Sequence, residues 1–265
     1  MIIAQLTDFH LVAPGERLQG RVDTNAMFTA AIEALNRLVP APDVVLMTGD
    51  LTDHGTAAEY EVLRRALAAV QMPYYLIPGN HDDRAALRAA FQDQAYWPVT
   101  GPMCYVVDTH PVRLLALDTV VAGASHGLID DGQLAWLAAQ LAAAPGRPTV
   151  IFMHHPPFAV GTTMDRIGCV NGGALEKVIE GHPQVERVIC GHCHRPIQRR
   201  WANTLVSIAP ATGHQVALSL QGAGESLTLE PPAIQLLVWL AGERCLVNHT
   251  VYVDDFGGPG PVLGG

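Results

Sequence analysis

Five short runs of almost unbroken apolar residues constrain the fold: Ile2 to Leu6, Asp43 to Met47, Tyr74 to Ile77, Thr149 to Met153 and Glu186 to Cys190. A run such as DVVLM, apolar at almost every position, suits a strand covered on both faces, and several such strands need helices to cover them. The segments between supply helical periods. Met27, Ala31, Ala34, Leu35 and Leu38 share one stripe of a helix expected from about Thr24 to Leu38. Thr56 and Glu59 have capping-box spacing ahead of Tyr60, Leu63, Leu67 and Val70, and Asp130 and Gln133 repeat the device ahead of Leu134, Leu137 and Leu141. Short helices near Arg84 to Phe91 and Ala174 to Glu180 complete the helical set. Further strands are expected over Cys104 to Val107, Val112 to Leu117 and Thr204 to Ile208, with a closing hairpin of Ile234 to Trp239 and Cys245 to Tyr252 about Gly242. The alternation reads as an α/β protein.

With 49% hydrophobic and 15% charged residues, the 265-residue chain has the material for a sizeable core in one or two domains. Lys+Arg number 16 against 25 Asp+Glu, a net charge of −9, which argues against a nucleic-acid polymer or an anionic membrane as partner. No apolar run approaches the roughly 18 to 20 residues of a membrane span. The opening MIIAQLTDFH meets Asp8 too early for a secretion leader, so the expectation is a cytoplasmic protein. Among five cysteines only Cys190 and Cys193 form a CxxC, and no second pair accompanies it; inert thiols are expected.

Chemistry is concentrated directly after the apolar runs, where open α/β sheets place their ligand crevice. Asp8 and His10 follow the first run, Gly49-Asp50 the second, Gly79-Asn80-His81-Asp82 the third, His154-His155 the fourth and Gly191-His192-Cys193-His194 the fifth. Residues two apart in extended backbone point the same way, so Asp8 with His10, and His192 with His194, are expected to face one crevice while Phe9 and Cys193 turn away. Carboxylate, imidazole and amide donors suit Mn, Fe, Co or Zn. Five of the chain's 12 histidines, His54, His110, His126, His182 and His249, are given no role.

These blocks, D-x-H, G-D, G-N-H-D, H and G-H-x-H in that order, resemble the calcineurin-like metallophosphoesterases over roughly residues 1 to 215. Within them the chain looks most like bacterial glycerophosphodiesterases and class III cyclic-nucleotide phosphodiesterases, through YLIPGNHDD, IFMHHPP and Gly213-His214-Gln215. The resemblance implies a layered α/β/β/α sandwich with metal ligands on loops at strand ends. It implies two divalent transition-metal ions, one held by Asp8, His10, Asp50 and His194 and the other by Asp50, Asn80, His154 and His192, with Asp50 bridging. The implied reaction is hydrolysis of a small phosphodiester by a metal-activated hydroxide. His81 is the candidate proton donor, and His155 and His214 are candidates for outer positions or substrate contact.

Alternatives stay open at this point: a 3′,5′-cyclic nucleotide as substrate, a phosphomonoesterase, or a non-catalytic metal-binding scaffold. Protein phosphatases of this family carry extra phosphate-binding arginines, whereas here only Arg84, Arg166 and Arg195 lie beside the motifs. Residues 1–215 are expected to form the core, 216–233 a lid or an oligomer-contact loop, and 234–253 the hairpin of the same domain. Residues 254–265 read as a Gly/Pro-rich tail. Cys169 and Asn171 are expected beside the pocket, and a homo-oligomer, dimer or larger, is expected to use the hairpin.

Overall fold

A computed structural model describes residues 1–220 and 226–254. Part of the expected lid (221–225) and nearly all of the expected tail (255–265) therefore lie outside the described residues. Strands β1 (Ile2–Leu6), β2 (Val44–Thr48) and β3 (Tyr74–Ile77) run parallel; β12 (Ala233–Leu240) joins β1 antiparallel and β13 (Cys245–Tyr252) closes the hairpin, giving the order β13-β12-β1-β2-β3. The second sheet has β4 (Tyr105–Val107), β5 (Arg113–Leu117), β6 (Thr149–Met153), β7 (Val185–Cys190), β9 (Thr204–Ile208) and β8 (Ile197–Trp201) in that order, with its four central strands parallel.

Strand periodicity explains the layers. Ile3, Val44 and Leu46 on one sheet, and Leu114, Ala116, Val150, Phe152 and Ile189 on the other, pack sheet against sheet. Their alternates Ala4, Leu6, Val45 and Met47 meet α1 (Thr24–Asn36), α2 (Ala57–Leu67) and α3 (Arg84–Ala90). Leu115, Leu117, Ile151, Met153 and Val188 meet α4 (Asp131–Ala142) and α5 (Gly172–Glu180). The result is the expected α/β/β/α sandwich, apolar on both faces of each sheet. Both expected capping boxes form, Thr56 with Glu59 and Asp130 with Gln133.

Differences are local. The buried stripe of α1 centres on Phe28, Ala31, Ile32, Ala34 and Leu35, leaving Met27 and Leu38 half-buried, because Phe28 stacks on Phe9 at 4.1 Å. Strand β8 (IQRRW) was not foreseen: it is an edge strand with exposed Gln198, Arg199 and Arg200, so it lacks an apolar run. Near the crest, Gln5 Nε2 donates to Thr48 Oγ1 and to the Cys190 carbonyl (2.9 and 2.8 Å), and Gln235 Nε2 donates to Gln5 and Ser207. This buried amide network ties the two sheets in register directly beneath the strand ends that bear the histidines.

Candidate metal centre

Each of the five expected blocks leaves the C-terminal end of a parallel strand, β1, β2, β3, β6 or β7. The backbone that aims them is not extended. Asp8, His10, Asp50, His192 and His194 all have positive φ, between 45° and 72°. Residues two apart still share the crevice, but through alternation of left-handed and ordinary conformations. Left-handed non-glycine residues cost roughly 1–2 kcal/mol each, so surrounding contacts must hold them. Asp8 N–H donates to the Gly49 carbonyl (3.1 Å), His10 N–H to the Asp50 carbonyl (3.0 Å), and His192 N–H to the Asp8 carboxylate (3.0 Å). Phe9 and Cys193 do turn away, into the hydrophobic cores. Two glycines permit the close approach: a Cβ on Gly79 would lie 2.2 Å from Asp50 N, and one on Gly191 would lie 2.1 Å from Thr7 Oγ1.

The structure brings the seven ligand candidates together. Asp50 Oδ2 lies 3.6 Å from His10 Nε2 and 3.3 Å from His154 Nε2, so one carboxylate oxygen faces both halves of the cluster. His194 Nε2 is 3.3 Å from Asp8 Oδ1 and 3.1 Å from His10 Nε2. His154 Nε2 is 3.2 Å from Asn80 Oδ1. The ring nitrogens on the far sides are engaged: His10 Nδ1 with Asp53 Oδ1 (3.1 Å), His194 Nδ1 with the His214 carbonyl (2.9 Å) and His154 Nδ1 with the Thr48 carbonyl (2.8 Å).

Carbonyl and carboxylate oxygens only accept, so each Nδ1 carries a proton and each Nε2 is the nitrogen aimed inward. These nitrogens face one another and the carboxylates at about hydrogen-bond distance, an arrangement that positive charge between them stabilises, whether a metal ion or a proton. His192 Nε2 is buried without a hydrogen-bond partner, which suits a metal-donor atom. The residues present thus fit a divalent metal pair, and Asp8, His10, Asp50 and His194 form one compact, fully buried group.

The electrostatics agree. Burial alone raises the Asp8 carboxyl, but the charge and hydrogen bond of His194 outweigh it and bring the pKa down to about 2. Burial lowers His154, yet Asp50 and Asp8 overcome this and raise it to about 9, so that its proton supplies positive charge beside the two carboxylates. His192 goes the other way, pushed by burial and by His154 down to about 3, which keeps it a neutral donor.

The outer candidates separate. His81 lines the cavity, with its side chain 39% exposed; its Nδ1 donates to the Asp53 carbonyl (2.8 Å), leaving Nε2 uncommitted. His214 also lines the cavity, stacked near His194 and His10 at 4.6 and 5.2 Å, with a buried, unpartnered Nδ1. His155 is different: its Nε2 donates to the Ser125 carbonyl (3.2 Å) and its Nδ1 accepts from Thr119 (2.7 Å), so both nitrogens secure a loop behind the site.

Two carboxylates went unforeseen. Asp53 orients His10 and holds His81 through its carbonyl. Asp82 accepts from Gly79 N, Leu51 N, Thr52 N, Thr52 Oγ1 and Tyr60 Oη at 2.9–3.2 Å, lashing the second ligand loop to the third. Burial and the Asp50 charge raise the Asp82 pKa to about 6, against the pull of those donors. The GDLTD spacing was the available signal for Asp53. Asp82 was visible within GNHD but showed nothing of its clamping role.

Above the cluster lies a cavity of about 210 Å³, walled by Leu18, Met164, Ile167, Val216 and Leu227, with Gln19 and Ser125 as added polar groups. Among the described residues, no Arg or Lys lines it. Arg84 is committed to Asp118 (2.5 and 2.8 Å), Arg195 to Glu230 and the Val216 carbonyl (both 2.7 Å), and Arg166 is exposed on a 3-10 turn, Thr163–Ile167. Contrary to expectation, Cys169 and Asn171 do not line the cavity. Asn171 is turned to grip both the N–H and carbonyl of Ile129.

A family model described as calcineurin-like phosphoesterase matches residues 1–196. The chain belongs to that family. It is 33% identical over 264 residues to a probable glycerophosphodiester phosphodiesterase GpdQ of Arcobacter nitrofigilis, covering 98% of this chain and 96% of that one. Identity to the GpdQ of Enterobacter lignolyticus is 36% over 236 residues (88% and 85% covered). The 3′,5′-cyclic adenosine monophosphate phosphodiesterase CpdA of Escherichia coli is 32% identical over 211 residues (79% and 75%). Among solved structures, a dimetal phosphatase from Danio rerio shares the fold with a TM-score of 0.64 at 14% identity, over 96% of this chain and 99% of that one.

Proposed function

We propose that this phosphoesterase is a dinuclear metal-dependent phosphodiesterase acting on small phosphodiesters of the glycerophosphodiester type. The observation that carries it is Asp50 Oδ2, set between His10 Nε2 and His154 Nε2, two imidazoles that belong to opposite halves of the cluster. Asp8, His10, Asp50 and His194 would hold one ion, and Asp50, Asn80, His154 and His192 the other. Divalent Mn, Fe, Co or Zn would supply Lewis acidity toward the phosphoryl oxygens and toward water. Asn80, a neutral amide, makes the second set the weaker holder.

The chain's own groups do the rest. Water oxygen bonds to phosphorus, the bond to one ester oxygen breaks, and the proton from water ends on the departing alcohol. His81, fixed by Asp53, would relay that proton, giving one from Nε2 to the leaving oxygen and regaining the proton that water loses. His214 fixes the His194 tautomer through its carbonyl, and its ring borders the substrate space. Residues 1–215 carry the catalytic core, and Val216 and Leu227 frame its mouth.

A diester is favoured over a monoester because no Arg or Lys among the described residues lines the cavity to meet a dianion. The relatives named as diesterases support the same choice. The likeness to CpdA makes a 3′,5′-cyclic nucleotide the second reading. No helix among the described residues is long and apolar enough to cross a membrane. We place the protein in the cytoplasm, with β13 as the open sheet edge where a second copy would form a dimer or larger homo-oligomer.

The test uses chelator-stripped protein reloaded with Mn, Co or Zn. Bis(p-nitrophenyl) phosphate should be cleaved faster than p-nitrophenyl phosphate, and glycerophosphoethanolamine faster than cyclic AMP. A metal-replete protein inert toward the diester contradicts the proposal; a reversed second ratio favours the cyclic nucleotide.

A further inference from the structure

We propose that the substrate is a phosphodiester with one long apolar arm, an alkyl- or acyl-bearing alcohol, and that this arm lies in a groove beside the metal centre. The inference rests on the phosphodiesterase reading and names the substrate class within it. The cavity over the ligands, at about 210 Å³, has room for a phosphoryl group and a short alcohol, below the roughly 300 Å³ of a typical small-molecule pocket. It does not end there. Gln19, Val216 and Leu227 line both this cavity and a groove of about 1090 Å³ that runs along the outer face of α1.

The groove is floored by Ala26, Met27 and Ala30 of α1, and walled by Leu229, Pro232 and Val253. Its charged residues, Arg21, Asp23 and Asp254, include both signs and give no anion site. A second observation points to an apolar occupant. Of the large hydrophobic residues that the described structure leaves exposed, Leu227 (38%) and Leu229 (71%), on and just after β11 (Leu227–Thr228), line the groove, and β11 pairs with β10 (Gln215–Val216), whose Val216 lines it too. Exposed apolar clusters of this kind mark binding surfaces. Adjacency to the catalytic cavity decides the occupant: Gln19, Val216 and Leu227 border both spaces, so an apolar chain leaving the phosphoryl group would cross them into the groove.

The experiment compares p-nitrophenyl methyl, butyl and octyl phosphates on metal-loaded protein, below their micellar concentrations. A buried methylene contributes about 0.8 kcal/mol, so kcat/KM should climb at least tenfold from methyl to octyl. Ala30→Glu and Leu229→Gln, both outside the catalytic machinery, should flatten that climb to within about twofold and leave the methyl ester rate unchanged. Calorimetry gives a readout without turnover: octyl phosphate, the product that keeps the arm, should bind wild type more tightly than methyl phosphate and lose that advantage in Leu229→Gln.

A methyl ester cleaved normally, with no chain-length dependence and equal binding of the two products, overturns the arm proposal and leaves the diesterase reading standing. Failure to cleave even the methyl ester contradicts the diesterase reading, and the calorimetric comparison still decides the groove. If Ala30→Glu dissociates a dimer and leaves every ester rate alike, the groove belongs to a second copy and the proposal falls.

Discussion

The floor of the site and its rim are built on opposite principles. On the floor, Asp8, His10, Asp50, His154, His192 and His194 are at most a few per cent exposed, and strained backbone is fixed by hydrogen bonds between loops of both sheets. On the rim, Gln19 is exposed, and Leu227 and Val216 sit on a strand pair of two residues each. Rigid placement suits groups whose distances set chemistry, and a lightly held apolar wall suits selection among alcohols. Changes in the floor should therefore act on metal content and kcat, whereas changes in the rim should act on KM.

The largest expected effect is at His192, whose Nε2 has no partner but the proposed ion. His192→Ala should lower kcat by about 10³-fold, with loss of one ion by elemental analysis; near-normal kcat would remove His192 from the floor. Next is Asp53, which orients His10. Asp53→Ala should weaken metal binding by about 10–100-fold, with partial recovery in Asp53→Asn, and metal titration reads both.

The metal-free floor should also show a pH signature. His154 is raised from 6.5 to about 9 by Asp50 and Asp8 against its burial. Its stabilisation is complete below pH 6.5 and is lost as pH rises through 9. The Tm of stripped protein should thus fall across that window, and metal loading should flatten the curve; a flat curve in stripped protein breaks the electrostatic account. The smallest effect belongs to the rim: Gln19→Ala should change KM by about two- to threefold at unchanged kcat, measured on one short diester.

The same contrast governs what was legible in the sequence. Floor residues follow strands of continuous apolar character, so their position at strand ends could be read from runs such as TVIFM before HH and ERVIC before GHCH. The layered fold was legible for the same reason, since strands covered on both faces demand helices outside. The left-handed backbone at Asp8 and His192 was not legible, because only glycine advertises such a conformation. Leu18, Met164, Ile167 and Leu227 were equally silent: apolar residues in short loops carry no period, and the three-dimensional path alone brings them over the ligand cluster. Strand β8 escaped because an edge strand can be polar on its exposed residues.

The central claim is that one carboxylate, Asp50, joins two metal sites. It is tested most directly by equilibrium dialysis of stripped wild type and Asp50→Ala against Mn or Zn, with folding checked by circular dichroism. Wild type should take up two ions per chain, and the folded variant one at most. Two ions retained by folded Asp50→Ala, or a single ion in saturated wild type, would contradict the shared centre.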